Sequence, residues 1–195
     1  MINIELIVLV AANIANFLIG LFAFSKDWRK LTNRLFILLT FTLVGWTSFN
    51  YLSIYSEDPD LIFFSVKMIL IFVVLQNTLF MLFVSAFSVN SLRLRKTFLG
   101  SYLAFSALTL LAGLTVGFFS GYSLSGDSIS PEPGPAIALF MLHTGFSIGW
   151  GIFRLIRRYR KARGTVKEQY KFLILSGAVL LLIAPLTNFL LPEAK

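Results

Sequence analysis

The chain has 195 residues, 57% of them hydrophobic and only 13% charged, with 17 Lys and Arg against 9 Asp and Glu for a net charge of +8. A mean hydropathy of +0.82 is more than a water-soluble domain with a polar shell can carry, and the lack of cysteine excludes disulfides, thiolate metal sites and thiol nucleophiles. The charges also cluster, leaving stretches of about twenty residues with almost none, the length a helix needs to cross roughly 30 Å of hydrocarbon.

In chain order, the first apolar run covers residues 5–24 and ends at Ser25-Lys26-Asp27-Trp28-Arg29-Lys30. Glu5 is the only charged side chain ahead of it, whereas a cleavable signal peptide needs a positive start, so the run reads as a retained span. The second run, 35–55, stops at Ser56-Glu57-Asp58-Pro59-Asp60, and the third, 62–87, stops at Arg93-Leu94-Arg95-Lys96. The fourth, 98–119, leads into the Gly/Ser/Pro-rich segment Gly121 to Pro135, which reads as a loop. The fifth, 136–156, meets the basic cluster Arg157 to Lys171, and the sixth, 172–191, reaches Pro192. The pattern predicts an all-α polytopic membrane bundle of six transmembrane helices in a single domain, 1–195.

Lys and Arg are retained on the cytoplasmic side of short loops. Fifteen of the 17 lie in the first, third and fifth loops and their helix flanks, while the second and fourth loops hold only Glu57, Asp58, Asp60, Asp127 and Glu132. The amino terminus is therefore expected outside, in a multi-pass protein of the plasma membrane. Basic residues divided among three membrane-flanking loops make no nucleic-acid face. Their expected partners are the bilayer and its anionic lipid headgroups, with Arg157, Arg158, Arg160, Lys161 and Arg163 the densest group.

Polar side chains inside a span must find partners, so they are the natural site candidates. Asn13, Asn16 and Gly20 share one face of the first helix, and Gln76 and Asn77 sit near the middle of the third. His143, the only histidine, lies about seven residues inside the fifth, where proton sensing or ligand contact competes with a packed, hydrogen-bonded role. Asn13, Gln76, Asn77 and His143 are the expected ligand-binding residues, with interhelical bonding as the plainer alternative. Lys67 is expected to snorkel toward the acidic loop Glu57-Asp58-Asp60. The G-x-x-x-G spacings Gly113/Gly117/Gly121 and Gly145/Gly149 read as packing within the chain first and a homodimer face second. Pro185 is expected to kink the sixth helix ahead of Thr187 and Asn188. No carboxylate pair, Ser/His/Asp set or phosphate loop is legible, so no catalytic residue, metal or cofactor is expected.

Three segments together resemble the amino-terminal seven-helix membrane region of bacterial and archaeal sensor histidine kinases. They are Asn16-Phe17-Leu18-Ile19-Gly20-Leu21-Phe22 with Asn33-Arg34-Leu35-Phe36; Trp46 with Asn50-Tyr51; and Pro133-Gly134-Pro135, the Arg157 to Arg163 cluster, Glu168-Gln169-Tyr170-Lys171 and Thr187-Asn188-Phe189-Leu190-Leu191-Pro192. The resemblance runs from about residue 5 to 192. It implies a prokaryotic receptor region that passes a small-molecule or membrane stimulus to a cytoplasmic kinase by helix rearrangement, and it supplies no binding residues. A seventh helix is then expected after Pro192, with the chain a fragment and any kinase activity beyond Lys195. A small transporter or channel, or an accessory membrane subunit, is the alternative reading.

Overall fold

In lipid no water bonds a backbone amide, so a crossing segment closes its own hydrogen bonds as a helix. The computed structural model describes residues 4–89, 91–92, 94–125 and 128–175. Among them five helices are long and apolar enough to cross a membrane: α1 (Ile4–Lys26), α2 (Leu31–Tyr55), α3 (Pro59–Ala86), α4 (Lys96–Ala112) with its π-helical extension Gly113–Gly117, and α5 (Ile137–Lys161). They match the first five apolar runs, with α5 continuing as helix through Arg157 to Lys161. Residues 164–175 are also helical and begin the sixth run; Pro185, Thr187 and Asn188 lie outside the described residues.

The chain divides into two compact units, Met1–Ile148 and Gly149–Lys195. In the second, Leu155 and Tyr170 are buried and the Lys167 ammonium lies 5.3 Å from the Tyr159 ring centroid. In the first, α1 packs on α2, α2 on α3 and α3 on α4. Ile4 and Phe22 of α1 remain 72% and 71% exposed, a surface that suits lipid tails. Small residues set the closest approaches: a side chain on Gly20 would run into Thr40, and one on Gly45 into the Phe72 ring. Asp58 caps α3 by accepting from the Asp60 amide at 3.0 Å, with Pro59 at the first helical position, where its missing N–H is harmless.

The Gly121 to Pro135 segment is not the loop its turn residues suggest. It belongs to an antiparallel hairpin, β1 (Phe119–Ser125) and β2 (Ser128–Pro133), with Tyr122 opposite Pro131 and Ser123 opposite Ser130. Gly121 is therefore in a strand, and the expected helical glycine stripe ends at Gly117, whose φ of +89° turns the chain out of α4. Gly113 leaves room for the Phe118 ring, which folds back against Phe140 (centroids 5.4 Å apart) in a cluster with Val74 and Ala136. The Gly134 amide donates to Phe118 O (2.7 Å) and the Ala136 amide to Gly117 O (3.3 Å), tying β2 to the end of α4.

Tyr122 also ties the hairpin to α3, donating to Asp60 Oδ1 at 3.2 Å with its ring 5.2 Å from Phe63. That hydrogen bond holds the phenol above its ordinary pKa. The latch is thus complete at neutral pH and is lost as pH rises through the shifted value. Lys67 sets its ammonium 4.1 Å from the Phe63 ring centroid, so among the described residues it meets an aromatic face one turn nearer the start of α3 rather than an acidic side chain.

Gly20→Ala is expected to destabilise the chain by about 1–3 kcal/mol, because β-branched Thr40 is already bonded to Ile37 O at 2.8 Å and cannot swing aside. Gly145→Ala, with no described atom within 4 Å of the added carbon, is expected to change stability by less than about 0.5 kcal/mol. Thermal unfolding in detergent checks both, and equal shifts would contradict the packing described.

Candidate functional site

A hydroxyl inside a membrane helix bonds most easily to the carbonyl one turn back, which occupies its single hydrogen and leaves its oxygen as an acceptor. Where α3, α4 and α5 meet, three such hydroxyls converge: Thr78 donates to Val74 O (2.8 Å), Ser106 to Tyr102 O (3.0 Å) and Ser147 to His143 O (2.6 Å). Ser106 stands about 15 Å along α4 from Lys96, near the middle of a span roughly 30 Å thick.

His143 is fully buried among them. Its Nε2 lies 3.0 Å from Ser106 Oγ and 3.4 Å from Thr78 Oγ1. With both hydroxyl hydrogens directed to their own helices, Nε2 is the donor and Nδ1 keeps the lone pair. Among the described residues Nδ1 is buried with no hydrogen-bond partner. The ring stacks on Tyr102 (centroids 5.9 Å apart, planes 14° apart) and leans on Phe105 at 5.4 Å. By the same logic the Tyr102 hydroxyl is a donor, with Ser147 Oγ at 2.9 Å as the nearer acceptor and Asn77 O at 3.4 Å as the farther, while Asn77 Nδ2 donates to Thr144 Oγ1 at 3.3 Å. Tyr102 and Phe105 also line a groove of about 390 Å³ together with Phe98, Ser101, Leu142 and Phe146.

Of the four residues expected to form a site, His143 and Asn77 come together here. Asn13 does not: it joins α1 to α2, accepting from Thr47 Oγ1 (2.7 Å) and donating to Ser48 Oγ (3.4 Å). Gln76 is half-buried one position from Asn77 and makes no hydrogen bond to the cluster. Sequence reasoning missed Thr78, Tyr102, Ser106, Thr144 and Ser147. The signal was present in the pairs Tyr102/Ser106 and His143/Ser147, each four residues apart and hence on one helix face. Among the described residues no three His, Cys, Asp or Glu side chains converge.

The sequence model of a family described as the N-terminal 7TM region of histidine kinase matches residues 7–192. Searches among curated proteins and among solved structures find no match.

With a single histidine in the chain, nitrogen NMR of ¹⁵N-labelled protein reads this site without assignment. The expected spectrum has a protonated Nε2 and an unprotonated Nδ1, with Ser106→Ala shifting the Nε2 signal. A protonated Nδ1 would contradict the directions of hydrogen bonding derived above.

Proposed function

Because the chain belongs to the family of N-terminal 7TM regions of histidine kinases, we propose that it is the sensor part of a membrane signalling protein, with the cluster around His143 as the element whose packing a stimulus biases. The observation that carries this reading is the His143 ring, bonded across α3 and α4 through one nitrogen and, among the described residues, left without a partner at the other. An unsatisfied buried polar atom costs on the order of 1–3 kcal/mol. A ligand or helix arrangement that supplies a donor to Nδ1 is favoured by that amount, enough to shift a two-state equilibrium about 5- to 150-fold.

The stimulus is then a small molecule or a membrane change that repacks α3, α4 and α5. Asn77 and His143 contribute to its recognition, Asn13 holds the α1–α2 scaffold, and Gln76 stands at the margin. The host is a prokaryotic plasma membrane, and phosphoryl transfer belongs to a kinase domain outside this region.

The test is autophosphorylation of the gene-encoded kinase in native membranes. His143→Ala and Ser106→Ala are expected to change the basal rate by about threefold or more with membrane insertion intact, while Leu38→Ala on the exposed face of α2 leaves it unchanged. Unchanged rates in both cluster variants would refute the reading. Solute flux in proteoliposomes, abolished by the same variants, would replace it with transport.

A further inference from the structure

Like charges that a fold gathers without a counterion indicate where an anion belongs, because the anion removes their repulsion as well as adding its own attraction. The turn between α1 and α2 has this character. The Arg29 guanidinium lies 5.6 Å and that of Arg34 5.5 Å from the centroid of one ring, Trp28. Arg34 is steered there by a backbone bond, Nε donating to Trp28 O at 2.8 Å.

The carboxylate available in the turn is engaged elsewhere. Asp27 Oδ2 meets Lys30 Nζ at 3.4 Å and Oδ1 accepts from the Arg29 amide at 3.2 Å. Asn33 Nδ2 donates to Asp27 O at 3.0 Å, which closes the turn from the α2 side. Among the described residues, neither guanidinium meets an acidic side chain. Both arginines and the 54% exposed indole therefore present outward from a turn already fixed by internal bonds.

We propose that Arg29, Arg34 and Trp28 bind the phosphate of an anionic phospholipid in the cytoplasmic leaflet. The chemistry fits each part. Two planar guanidiniums offer paired N–H donors to phosphate oxygens, which an ammonium cannot match. An exposed indole at the end of an apolar span suits the depth where aromatic side chains meet the glycerol region, and the exposed apolar side chains of α1 and α2 beside it suit acyl chains. The charge distribution puts this turn on the side where anionic lipid attracts basic residues. The proposal rests on the membrane orientation described above and not on the sensor role, so either can fail alone.

The test is native mass spectrometry of the chain from nanodiscs of phosphatidylcholine with one fifth phosphatidylglycerol. The wild type is expected to retain phosphatidylglycerol, and Arg29→Gln/Arg34→Gln to weaken that retention roughly thirtyfold. Arg29→Lys/Arg34→Lys, which keeps the charge without the paired donors, is expected to fall between them. The control Arg95→Gln/Lys96→Gln removes the same charge in another loop and is expected to weaken retention several-fold less than the Arg29/Arg34 glutamine double. Equal loss in the two glutamine doubles would overturn the site in favour of unspecific attraction, as would no loss in either. Displacement of the lipid by millimolar inorganic phosphate would overturn it in favour of a soluble anion. The autophosphorylation rate need not move in any of these outcomes.

Discussion

A hydroxyl has one hydrogen, and inside a membrane there is no water to supply another. Much of the interior follows from that. Thr40, Thr42, Ser48, Thr78, Ser85, Ser106, Thr109 and Ser147 all direct their hydrogen to a carbonyl three or four residues back on their own helix. Each becomes an acceptor on the helix surface, and donors on neighbouring helices organise around them. Tyr102 serves Ser147, His143 serves Ser106, and the Asn13 amide serves Ser48. The helices are thus joined by side chains that look unremarkable in sequence.

This explains what could be read in advance. The five crossings now seen were legible because length and hydropathy answer directly to bilayer thickness, and the histidine was legible because a titratable ring in lipid stands out. Asn77 was legible because an uncharged amide inside a span must find a hydrogen-bond partner. Asn13 and Gln76 show the limit of that approach, since a polar side chain in a span announces that it has a partner but not which helix supplies it. The serines and threonines of the cluster carried too weak a hydropathy signal to be singled out. Only their four-residue spacing from Tyr102 and His143 marked them, and that pattern becomes informative once α4 and α5 are known to face each other.

The hairpin was missed for a different reason. Its strands are rich in Gly, Ser and Pro, residues that ordinarily signal turns, and it lacks the alternation of a strand packed on a core. Its order comes from attachment. Phe118 is anchored among Val74, Ala136 and Phe140, backbone bonds link Gly134 and Ala136 to the last residues of α4, and Tyr122 reaches Asp60 at the head of α3. Tertiary contacts of this kind override local propensity and leave no periodic trace. The glycines divide along the same line: Gly20 and Gly113 are small because a neighbour needs the space, whereas Gly145 has none nearby among the described residues of other elements.

The junction around Gly117 and Gly134 also restricts how α4 and α5 can move. Two backbone bonds bind the last residues of α4 to the residues that lead into α5, so sliding of one past the other at that end would break them. What remains is a pivot, as in tongs riveted at one tip. A displacement too small to break a hydrogen bond at the rivet grows with distance along each arm. The His143 ring lies only a few turns from it, where such motion is still fine-grained.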